Sequence, residues 1–160
     1  MQRAMSLQEA GRFQDAATLF EEILSSNPRH FGALYSLGVV YLQTGQFGPA
    51  EIILGNAVAF NPLFPNAWYA RGASLLRLAR WQDALTCLDQ AVGLQPDFVD
   101  AISARVTALR ELGRTQEALL AADRALALRP GGADDWNARG LILLAMQRLD
   151  EALASLDRAL

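Results

Sequence analysis

The chain has 160 residues, 52% hydrophobic and only 19% charged, which is enough apolar material to bury a sizeable core. Arg supplies every basic side chain, and a net charge of −3 with a pI of about 5.1 argues against a binder of phosphate backbones. A lone cysteine, Cys87, excludes an internal disulfide or a thiolate metal cluster, and no apolar run approaches the ~18 residues of a membrane span.

The opening MQRAMSLQEAGR lacks the apolar core of a signal peptide, so a cytoplasmic setting is the default expectation. From there the chain repeats itself. Pro28, Pro62, Pro96 and Pro130 are spaced 34 residues apart, and Ala16, Ala50, Ala84, Ala118 and Ala152 keep the same period. A period in this range signals stacked repeats. The units run over residues 1–30, 31–64, 65–98, 99–132 and 133–160, the first and last incomplete, and together form a single domain over 1–160.

Within a unit the apolar spacing is helical: Leu34, Gly38 and Tyr41 share one stripe, and Ala50, Leu54, Ala57 and Val58 another. Gly11, Gly45 and Gly113 fall between the stripes, where a left-handed helix cap is easiest, and Ala79 and Gln147 stand in the same place. Pro49 and Pro65 suit a first helical position. Each unit therefore predicts two antiparallel helices. A small-residue column (Ala4, Gly38, Gly72, Gly140) faces Leu54, Leu88 and Leu156. In the fourth unit Val106 faces Ala122, so the large and small partners have exchanged helices.

The columns Trp68, Gly72, Leu75, Ala84, Leu88, Ala91 and Pro96, echoed by Leu34, Leu37, Gly38, Tyr41, Ala50, Leu54, Ala57 and Pro62, resemble the tetratricopeptide repeat (TPR) over essentially the whole chain. The resemblance implies an all-α fold: a right-handed TPR superhelix, or α-solenoid, of five antiparallel helix hairpins. It also implies that the first helix of each pair lines a concave groove for a peptide or protein segment. Carried over, the groove positions are Met5, Tyr35, Val39, Leu42, Tyr69, Ala73, Leu76, Thr107 and Arg110, with Ser103 and Asn137 extending the row of Tyr35 and Tyr69. The basic residues with which some relatives hold carboxylates are replaced here by Tyr35, Val39, Tyr69 and Ala73. The Asn ladder of others is replaced by Ser36, Ala70, Ala104 and Ala138. What remains is apolar and aromatic, since only Glu51 is charged between Arg29 and Arg71.

Arg3/Glu21, Arg71/Asp89, Arg105/Asp123 and Arg139/Asp157 occur together, whereas the second unit has Leu37/Gly55. This covariation predicts an Arg–carboxylate pair inside each repeat. His30, the sole histidine, reads as a solvated loop side chain, and Cys87 as half-buried. No nucleophile elbow, phosphate loop or metal-spaced cluster is present, so the chain reads as non-enzymatic, without catalytic residues, metal, cofactor or nucleic-acid partner. The expected function is a protein-interaction scaffold. The alternatives are the recruiting arm of a larger bacterial enzyme, of the O-linked N-acetylglucosamine transferase type, and a self-assembling module. Ile142, Leu143, Leu149, Leu153, Leu156 and Leu160 are expected to form an apolar end face through which terminal repeats could join copies.

Overall fold

A computed structural model describes residues 1–160 as ten α-helices with no strand, in two compact units. The first unit, Met1–Ala79, holds α1 (Gln2–Glu9), α2 (Phe13–Ser26), α3 (Phe31–Gln43), α4 (Phe47–Phe60) and α5 (Pro65–Arg77). The second, Arg80–Leu160, holds α6 (Trp81–Leu94), α7 (Val99–Glu111), α8 (Thr115–Leu128), α9 (Ala133–Ala145) and α10 (Leu149–Ala159). No helix is long and apolar enough to cross a membrane. In each unit consecutive helices pack together, and first helices also touch side by side, α3 on α5 and α7 on α9.

The turns fall where the sequence places them. Gly11, Gly45 and Gly113 have φ of +73°, +77° and +72°. Ala79 and Gln147 adopt the same left-handed geometry, at 55° and 59°, despite carrying a Cβ. Pro65 is the first residue of α5, as predicted, whereas Pro49 is the third residue of α4. It still lies in the first turn, where its missing N–H costs no intrahelical hydrogen bond. Trp68 and Trp136 each donate from Nε1 to the carbonyl of the proline six residues earlier, Pro62 or Pro130, at 2.8 Å. At these two positions the proline thus also anchors the next repeat's first helix.

The small-residue column works by contact. A Cβ added to Gly38 would lie 2.5 Å from Leu54 Cγ, and one on Gly140 2.7 Å from Leu156 Cγ, so only glycine lets these helices approach. Val106 and Ala122 are both buried, as the exchange of large and small partners requires.

Three expectations are corrected. Cys87 is buried in α6 rather than half-buried, because its face of the helix turns into the core. His30 is a half-buried N-cap: its Nδ1 accepts a hydrogen bond from the Ala33 N–H at 3.1 Å, satisfying a free donor at the start of α3. Ile142 and Leu143 lie on the core side of α9, fully buried, so the exposed apolar residues of the last hairpin include Leu149, Leu153 and Leu160 but not these two.

Candidate functional site

The ion pairs form with a different register from the one covariation suggests. Arg105 Nε sits 2.5 Å from Asp89, and Arg139 Nε 2.7 Å from Asp123, each carboxylate lying 16 residues upstream in the preceding repeat. Both columns carry charge in the same repeats, so presence alone could not distinguish a partner within the hairpin from one in its neighbour. Where the neighbour lacks its half, a residue one turn away substitutes. Gly55 leaves no carboxylate for Arg71, which turns to Glu51 at 2.8 Å. Leu37 leaves no cation for Glu21, which instead accepts from the Tyr41 hydroxyl at 2.6 Å. Burial, with help from the Glu21 hydrogen bond and charge, pushes the Tyr41 phenol up to about 12.

A second set of pairs escaped the sequence reading. Arg12–Asp15, Arg80–Asp83, Arg114–Glu117 and Arg148–Glu151 link the residue before four of the five second helices, α2, α6, α8 and α10, to the acid in its first turn, at 2.6–2.8 Å. The recurring Arg-x-x-acid spacing was the available signal. The acid also lies at the positive end of the helix dipole, and the Arg guanidinium holds Glu117 and Glu151 below the usual carboxylate range.

In the first unit, α1, the turn after it, and α3 flank a cleft of about 540 Å³. Met5, Phe13, Tyr35 and Val39 give it an apolar lining, with Gln8, Glu9, Ser36 and Gln43 as polar groups. Gln8 Nε2 reaches Gln43 Oε1 at 3.4 Å. Tyr35 is fixed by rings: Phe31 stacks at 6.3 Å, and Phe64 meets it edge-on at 5.2 Å. Burial raises the Tyr35 phenol above its ordinary range, partly offset by a hydrogen bond with Asn66. Val39 and Leu42 pack beside Tyr35 on the buried cluster of Ala50, Leu54 and Ala70.

Of the nine groove positions, the cleft gathers Met5, Tyr35 and Val39. Leu42 continues along α3, and Tyr69, Ala73 and Leu76 lie half-buried on α5, the first helix beside it. Thr107 and Arg110 lie on α7 in the second unit, where Arg110 pairs with its neighbour Glu111 at 3.0 Å.

The extended row ends differently in the second unit. Ser103 donates to Asp135 at 2.5 Å, and Arg129 binds Asp135 at 2.9 Å and Asp100 at 2.9 Å. Asp135 is 4% exposed, in the column that holds Ala33, Ala67 and Ala101 elsewhere. A buried carboxylate needs such partners, so Ser103 is drawn toward the next repeat. The acid in an alanine column was a legible signal that the sequence reading passed over. Nearby, Asp123, Trp136, Arg139 and Arg158 border a hollow of about 440 Å³, with the Arg158 guanidinium carbon 4.7 Å from the Trp136 ring centre. No three His, Cys, Asp or Glu side chains converge as a metal site.

Among solved structures, a crystal structure of MamA overlays with a TM-score of 0.93 at 22% identity, covering 99% of this chain and 93% of that one. A MamA fragment from Desulfovibrio magneticus RS-1 gives 0.93 at 18% identity, covering 99% and 89%. YrrB, described as a TPR protein with an unusual peptide-binding site, gives 0.87 at 24%, covering 98% and 80%. At these identities the likeness shows the fold alone. No curated protein sequence gives a significant match. The tetratricopeptide-repeat family matches residues 1–67, 69–133 and 103–160, in keeping with the hairpins, left-handed turns and glycine contacts described above, and the chain belongs to that family.

Proposed function

We infer that the chain is a non-catalytic interaction scaffold, acting as one TPR domain over residues 1–160 in a cytoplasmic setting. Its partner is an apolar or aromatic peptide or protein segment. In the first unit the segment lies along the first helices, against Met5, Tyr35, Val39, Leu42, Tyr69, Ala73 and Leu76; in the second unit the corresponding first-helix contacts are Thr107 and Arg110. The observation that carries this reading is the cleft beside Tyr35. Its walls are apolar, its rim offers amide groups, and a ring cluster holds the tyrosine in place, so binding would cost little side-chain ordering. YrrB, a fold neighbour described as having a peptide-binding site, lends support by analogy.

The test is selection of binding peptides from a random displayed library, followed by calorimetry on wild type, Tyr35→Ala and Tyr69→Ala. Selected peptides should be rich in apolar residues, and each substitution should weaken binding by ~2 kcal/mol with helicity unchanged. Selection of acidic or phosphorylated peptides, or affinities indifferent to both substitutions, would overturn the reading.

A further inference from the structure

We propose that the hollow between α8, α9 and α10 binds a small monocarboxylic acid, its carboxylate on Arg158 and its apolar body on Leu126, Ala127 and Ala154. The proposal does not rest on the groove, none of whose positions lines this hollow.

Two repeats solve the same contact differently. In the fourth, Arg124 donates to the Pro96 carbonyl at 2.5 Å. Arg158 stands in the same column one period later, and the equivalent carbonyl is that of Pro130. There Trp136, which replaces Ile102, already donates its indole N–H to Pro130 at 2.8 Å. The Arg158 guanidinium lies instead over the Trp136 ring, 4.7 Å from its centre. It makes no ion pair and no hydrogen bond, so its fork of N–H donors is free at the edge of the hollow.

The other charges around the hollow are matched. Asp123 binds Arg139 at 2.7 Å, and Glu151 binds Arg148 at 2.7 Å. One free positive charge calls for one negative charge, and the planar fork suits a carboxylate. A phosphate dianion would meet Asp123 and Glu151 as like charges. The volume of about 440 Å³ lies in the range of small-molecule pockets. A single acidic side chain of a protein would leave most of it empty.

This side of the second helices stays open when a further repeat packs behind it. On α8, which α9 packs against, the positions equivalent to Glu151, Ala154 and Arg158 are Glu117, Leu120 and Arg124, all exposed. On α6, packed by α7, they are Asp83, Thr86 and Gln90, exposed as well. What sets the hollow apart is the Trp136–Arg158 stack within it.

The test is a titration of the isotope-labelled chain with hexanoate, followed by NMR at the indole N–H resonances of Trp68, Trp81 and Trp136. Trp136→Phe assigns the third. Hexanoate should shift the Trp136 resonance saturably and leave the other two in place, whereas hexanol and inorganic phosphate should act only at much higher concentration. Arg158→Gln should weaken hexanoate binding by about tenfold or more. Its side chain is exposed, so circular dichroism should be unchanged. A Trp136 resonance that hexanoate does not move, or that hexanol or phosphate moves as readily, would overturn the proposal. So would binding indifferent to Arg158→Gln.

Discussion

The Arg139 guanidinium lies 2.7 Å from Asp123, in the repeat before it, and also donates to Ser155 Oγ at 2.6 Å in its own hairpin. Its covarying partner in the same repeat, Asp157, is not the one it binds. A double-mutant cycle separates the two registers. Arg139→Ala with Asp123→Ala should show a coupling of roughly 0.5–1 kcal/mol in chemical denaturation, as expected for partly exposed pairs. The cycle with Asp157→Ala should show none.

The contact between Gly38 and Leu54 gives a second test. Gly38→Val alone forces a clash, and Leu54→Ala alone leaves a cavity costing about 2–5 kcal/mol. Combined, they reproduce the Val106–Ala122 arrangement of the fourth repeat, so the double variant should recover most of the lost stability. Equal or greater loss in the double would show that the exchange is not transferable.

Ala79 and Gln147 hold left-handed backbone where Gly11, Gly45 and Gly113 do so without a Cβ. Ala79→Gly and Gln147→Gly should each stabilise by up to about 1 kcal/mol in thermal or urea unfolding. Gly45→Ala should move stability the opposite way.

Tyr41 makes stability depend on alkaline pH. Its folded pKa of about 12 lies above the ordinary 10.0, so the native state holds the proton more tightly than the unfolded chain does. The contribution is therefore complete below about pH 10 and is lost between about 10 and 12. The stability gap between wild type and Tyr41→Phe should shrink across that window. Ultraviolet titration of wild type should show a late tyrosinate step that the variant lacks.

The helices, turns and hairpin contacts were legible because each is set by residues a fixed distance apart. Pro28, Gly45 and the Gly38–Leu54 levels declare themselves locally or across one turn. The ion pairs were half legible: the columns were found, but choosing Asp123 over Asp157 for Arg139 depends on how repeats nest, which periodicity leaves open. His30 was misread because its neighbours suggest a loop, and only the start of α3 after it gives the ring a backbone N–H to accept from. Asp135 was passed over because its significance lies in what it replaces, an alanine. For the groove, the sequence supplied positions, and the cleft beside Tyr35 joins Met5 and Val39 through the placement of α1 beside α3, which no column encodes.

The pairing of Asp89 with Arg105 and of Asp123 with Arg139 across repeat boundaries bears on how such a chain can change length. Excising residues 99–132 would bring Asp89 into phase with Arg139, and duplicating that segment would offer each new guanidinium a carboxylate upstream. Among the repeats that carry both charges, recombination in whole 34-residue steps leaves the junctions electrically matched, so a lineage can shorten or lengthen that part of the array without first evolving a new seam.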